Sequence, residues 1–157
     1  MISVDEYLGF CDQALDQYAG IVTELGDDLV AARLDGIPGS NSAFALVAHV
    51  AGVMAHWGRS VNRGIPVPRD RVAEFTATGT VAEALAVLDR GRTGLHEDAR
   101  AASPRDAPAD PAREEDGTIS YPTQGAVLLH VYEELAQHLG QLEVTRDVLL
   151  ATGARST

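Results

Sequence analysis

The chain has 157 residues, 45% of them hydrophobic and 5% aromatic, with a formal net charge of -11; that length fits one domain over residues 1–157, without room for a sizeable second core. The acidic field repels phosphate backbones and anionic membrane surfaces, so neither nucleic acid nor a membrane is an expected partner. All twelve basic residues are Arg, which excludes Schiff-base lysine chemistry and a Walker-type phosphate lysine.

The N-terminus, residues 1–6, is acidic and lacks the basic start of a signal peptide. Ser3-Val4-Asp5-Glu6 has the form of a capping box. Behind it Tyr7, Phe10, Cys11, Ala14, Tyr18, Ile21, Val22 and Leu25 recur at helical spacing, which predicts a first helix from about residue 4 to about residue 32. Gly36, Pro38 and Gly39 end it. Cys11 is the only cysteine, so no internal disulfide forms, and on this face a buried, inert thiol is expected.

Ser40, Asn41 and Ser42 offer N-caps for a second helix. Its apolar face runs Leu46, His49, Val50, Val53, Trp57 and Val61, and Gly64, Pro66 and Pro68 stop it. The longest apolar stretch, 43–55, is too short to span a membrane and contains His49, so a cytoplasmic protein is expected. The charged segment 69–75 is read as a cap on one end of the bundle. Thr80-Val81-Ala82-Glu83 is a second capping box, and Val81, Leu85, Leu88 and Leu95 mark a third helix ending near Ser103-Pro104. Residues 104–120, rich in Pro, Asp, Arg and Ala, predict a long, mobile polar loop. A fourth helix runs from near Thr123 to about Ala151. In it Leu128, Leu135, Leu142 and Leu149 repeat every seven residues, and Val131, His138 and Thr145 fill the companion seam. The predicted fold is all-α, a four-helix bundle with no strand.

Three polar residues fall on faces that are otherwise apolar. Glu134 and His138 are spaced i, i+4 and point the same way, and His49 lies on the inner face of the second helix. A lone inward histidine is more often a hydrogen-bonded core residue, and a Glu–His hydrogen bond satisfies such a pair without any ion. An inward carboxylate is nevertheless costly without a cation or strong donor. A divalent first-row ion would satisfy both groups. With His49 as third ligand, the set leaves an open coordination position, as catalytic sites do. His130 precedes Glu134 by four residues and forms a rival pair; it stands about 12 Å from His138 along the helix axis, too far to share an ion. His56, Trp57 and His130 are candidates for lining a pocket. His96, beside Glu97 and Asp98, reads as a solvated surface residue. Arg63, Arg69 and Arg71 read either as a carboxylate-binding cluster or as a salt-bridged turn with Asp70 and Glu74. No Gly-rich phosphate loop, cysteine pair for zinc or serine nucleophile elbow is present.

The stretch Ala48-His49-Val50-Ala51-Gly52-Val53, with Trp57 after it, resembles the second helix of the DinB/YfiT-like bundle proteins. Residues 130–141, from His130 through Glu134 and His138 to Gln141, resemble their fourth. The likeness spans nearly the whole chain and is nearest to the actinobacterial branch of mycothiol-dependent maleylpyruvate isomerase and the mycothiol transferases. It implies a four-helix bundle with a long crossover, often a homodimer. It also implies a divalent metal (zinc foremost, nickel and manganese as alternatives) held by His49, Glu134 and His138, which selects His138 over His130. The implied activity is a metal-dependent thiol S-transferase. Mycothiol or a similar small thiol, bound at the metal as thiolate, attacks an electrophilic substrate in detoxification or secondary metabolism. The isomerase carries a further C-terminal domain with no counterpart in these residues, so isomerase activity is not part of the expectation. The alternatives are a non-catalytic DinB-like stress protein that binds a metal or small ligand, and a hydrolase using a metal-bound water.

Overall fold

In the computed structural model, which describes residues 2–153, the chain is all-α. The first helix, α1 (Val4–Leu29), opens on the predicted capping box: Glu6 N donates to Ser3 Oγ at 3.1 Å, and Ser3 N donates to Glu6 Oε2 at 2.7 Å. Its inner face buries Leu8, Cys11, Leu15, Tyr18 and Val22. Two expectations are corrected here. Gly26 adopts φ 68°, which glycine enters without steric cost, and the helix breaks there and ends at Leu29 instead of near residue 32. Phe10 sits at the margin of the apolar stripe, 50% exposed, with its ring edge-on to Tyr132 at 6.0 Å.

Of the three candidate caps, Ser42 is the one that accepts from Ala45 N, at 3.2 Å, to start α2 (Ala43–Met54). Past Met54 the helix does not continue as a regular α-helix. It widens into a π-helix (Ala55–Asn62), a form that clusters at functional sites and changes which way the following side chains point. Asp98, only 1% exposed, ties this segment to the next long helix by accepting from Arg59 Nε at 3.3 Å and Arg63 Nη1 at 2.5 Å. A short helix, α3 (Arg71–Thr76), follows, capped by Asp70, whose Oδ1 accepts from Ala73 N. It buries none of its residues fully, so it has no apolar stripe by which sequence could announce it. The segment read as a cap on the bundle is instead this helix, packed on α2.

The Thr80–Glu83 capping box starts α4 (Val81–Ala101), and α5 (Gln124–Gly153) closes the described chain. Leu128, Leu135, Leu142 and Leu149 are all buried, as the heptad spacing requires. Both α1 and α2 pack against α4 and α5, which leaves α1 diagonal to α2 and α4 diagonal to α5. The connection from α4 to α5 therefore crosses the bundle. Along it, Ala109 N and Asp110 N donate to the carbonyls of Asn62 and Val61 at the end of the π-helix, and Gln124 N donates to Asp106 O. An isolated bridge joins Arg113 and Ile119, and there is no strand among the described residues. None of the described helices is long and apolar enough to cross a membrane.

Candidate metal centre

The site forms where α2 and α5 face each other. His49 is carried on the most buried helix of the bundle, and its side chain is 2% exposed. Glu134 and His138 are one turn apart on α5, 23% and 20% exposed. Across α1, the Tyr18 hydroxyl donates to Leu135 O at 3.0 Å and anchors this turn of α5 to the core.

The two imidazoles present the same atom to Glu134. His49 Nε2 lies 3.5 Å from Glu134 Oε2, and His138 Nε2 lies 3.6 Å from it. The three donor atoms all lie within 4.8 Å of one another. Each ring is tied at its other nitrogen. His49 Nδ1 is 2.9 Å from Glu74 Oε2, and His138 Nδ1 is 2.9 Å from Gln141 Oε1. Both partner atoms are oxygens that accept, so a neutral ring in this geometry donates from Nδ1 and keeps its lone pair on Nε2. His49 Nε2 is buried and has no hydrogen-bond partner. A buried polar atom left without a partner calls for an explanation, and an ion is one that its lone pair can serve.

The donor set fits a divalent metal. Two neutral imidazoles and one carboxylate suit zinc and its first-row neighbours. The 3.5 and 3.6 Å separations are close to the edge, about 3.4 Å, of a tetrahedron of donors about 2.1 Å from its centre. One expectation changes. Glu134 is partly open to solvent, so the cost of burying its charge argues less strongly for an ion than the convergence of the two Nε2 atoms does.

Electrostatics favour the metal-ready form of His49. Burial lowers its pKa below the ordinary 6.5, and the neighbouring His138 and Arg69 push the same way against Glu74. Burial alone would raise the pKa of Glu74, but Arg69 and His49 outweigh it and hold the carboxyl below its ordinary 4.5.

The other candidates separate cleanly. His130 stands on the far side of Glu134, with Nε2 4.0 Å from Oε1 and Nδ1 3.2 Å from Glu133. Its ring stacks on Tyr121 at 4.5 Å and meets Trp57 edge-on at 4.7 Å, and Trp57 in turn touches His56 and Tyr121. An aromatic cluster of Trp57, Tyr121 and His130 therefore flanks the carboxylate, with His56 at its back. His56 also lines a cavity of about 410 Å³ with Gly52, Arg69 and Glu74, and its pKa is lowered by burial and by Arg69. His96 is not a free surface residue: its Nε2 meets both oxygens of Asp12, at 2.9 and 3.1 Å. The three arginines do not act as one cluster. Arg63 pairs with Asp98, Arg69 with Glu74, and Arg71 lies over the Phe75 ring.

The family model for mycothiol S-transferases matches residues 7–150 of the chain. The chain belongs to that family. This bears out the resemblance carried by the second and fourth of the long helices. No curated protein matches the chain.

Three residues beside the site were not assigned to it from the sequence. Gln141 is three residues past His138 on the same helix and was open to detection by spacing alone. Glu74 and Phe75 were not: they reach His49 across 25 and 26 residues from a helix without a periodic signal.

Proposed function

We propose that the chain is a metal-dependent mycothiol S-transferase, with His49, Glu134 and His138 as the ligands of a divalent ion, zinc foremost. What carries the reading is the pair of Nε2 atoms aimed at one carboxylate oxygen, the buried one without any other partner. His49, Glu134 and His138 would hold the ion, which would supply Lewis acidity and so make a nearby thiol more acidic.

The chain's own residues do the rest. Gln141 accepts from His138 and holds that ring with its Nε2 toward Glu134. Leu46, Val50 and Val131, all fully buried, exclude water from the inner side of the site. The exposed edges of Glu134 and His138 leave approach from the outer side, where the stacked rings of Tyr121 and His130, with Trp57 edge-on to both, flank the incoming molecules. The net charge of -11 lies around a site whose carboxylate is matched by an ion, which favours neutral cosubstrates over polyanions.

The test is metal analysis of the purified protein, followed by a conjugation assay with mycothiol and a chromogenic electrophile, with and without chelator. Stoichiometric metal is expected, with thiol-dependent turnover that chelation removes and zinc restores. Thiol-dependent turnover indifferent to chelator sinks the metal role. Chelator-sensitive turnover without thiol points to hydrolysis instead, and absence of both metal and turnover points to a non-catalytic binding protein.

A further inference from the structure

The short helix α3 is the one element outside the four-helix frame, yet its residues enclose the most buried side chain of the site. Phe75 stacks on the His49 ring at 4.4 Å, with 26° between planes, and the next residue back, Glu74, takes the ring's Nδ1. Glu74 is itself held as a carboxylate. Arg69 Nε and Nη2 donate to its two oxygens at 2.7 and 3.1 Å, a bidentate fork that leaves the side chain one orientation. The helix is anchored at its end by Arg33, which donates to Phe75 O at 2.7 Å and to Ser40 O at 2.9 Å.

This arrangement needs a gap in α2. Glu74 crosses the helix surface at Gly52, where any Cβ would collide with the Glu74 carboxylate. A glycine inside a helix is less favourable than an alanine there. Here the missing side chain makes the seat for the acceptor of His49.

We infer that Glu74, oriented by Arg69 and seated over Gly52, is a positioning residue that fixes His49 with its Nδ1 proton bound and its Nε2 free. The inference rests on the reading of His49 as a metal ligand only for its consequence, not for the geometry. A carboxylate accepting from the remote nitrogen of a ligating imidazole sets the tautomer and raises the ligand's basicity, and losing such a partner typically weakens metal binding by about 10- to 100-fold.

The experiment uses the full chain, wild type, Glu74→Ala and Gly52→Ala. Gly52→Ala leaves Glu74 in the sequence and displaces its carboxylate from the seat, and circular dichroism and thermal melting of both variants establish that each is folded before the readouts are compared. Two readouts are taken. In the metal-free proteins at a pH above the imidazole range, long-range ¹H–¹⁵N correlations report the His49 tautomer. In titrations against a chromophoric chelator, zinc affinity is measured. Wild type is expected in the Nδ1–H form. Both variants are expected to shift toward the Nε2–H form that free imidazole prefers and to bind zinc about 10- to 100-fold more weakly. An Nδ1–H ring in all three proteins, or, where wild type binds zinc, equal zinc affinities in all three, overturns the inference. A wild type that binds no zinc refutes the metal reading alone, because the tautomer still decides what Glu74 does.

Discussion

Glu134 Oε2 receives both histidine Nε2 atoms, and so it is the atom on which the site turns. Glu134→Gln keeps the shape and removes the charge. Metal stoichiometry in the purified variant should fall to near zero, read by inductively coupled plasma mass spectrometry; a full equivalent of metal would show that the carboxylate is not a ligand. A second expectation follows from burial of His49, which lowers its pKa below 6.5. The folded chain binds that proton less readily than the unfolded chain. The associated stability is present above pH 6.5 and is lost as pH falls through that value toward the lower folded pKa. Glu74 adds the same sign further down, its contribution present above 4.5 and lost as pH falls through its lowered folded pKa. The melting temperature of the metal-free protein should therefore drop as pH falls below 6.5, and His49→Asn should flatten that part of the curve. Equal slopes in the two proteins would contradict it. At this scale the three candidate ligands were readable, because a polar group on an apolar stripe violates the local pattern. Glu74 was not, because a glutamate among arginines obeys it.

The elements show where helical periodicity stops being a guide. The apolar face of α2 predicts a helix through Val61, and the chain does stay helical, but residues 55–62 form a π-helix. Over that stretch Asp98 on α4 pairs with both Arg59 and Arg63, a contact no helical period announces. The two sides of this cluster differ in exposure, and that decides the outcome of mutation. Asp98 is 1% exposed, whereas the arginines are about a third exposed, 34% and 31%, and reach water. Asp98→Asn thus releases two solvated cations at a cost of about 1–3 kcal/mol. Arg59→Ala with Arg63→Ala strands a buried carboxylate, at about 3–5 kcal/mol. Chemical denaturation of the two variants tests the order, and a larger loss for Asp98→Asn would reverse the argument.

For the whole molecule, the proposed site links α2 and α5, two neighbouring helices whose candidate ligands lie 85 and 89 residues apart in the chain. A ligand that binds only the folded chain stabilises it by mass action. Zinc at 100 times its dissociation constant should add about 2.7 kcal/mol, or about 5–10 °C in melting temperature for a chain of this size. Glu134→Gln should abolish the increment. An equal increment in that variant would place the stabilising ion elsewhere.

The helical class, the two capping boxes, the leucine seam and the three inward polar residues were determined by the sequence alone. Each is a local matter: a cap bonds within one turn, and an apolar stripe is set by 3.6 residues per turn whatever it packs against. The diagonal placement of α1 against α2, the widening at Ala55 and the hold of α3 on His49 were decided only by the tertiary structure. They depend on which distant groups meet, and no period in the sequence encodes the meeting of Glu74 with a nitrogen 25 residues before it, across the gap at Gly52.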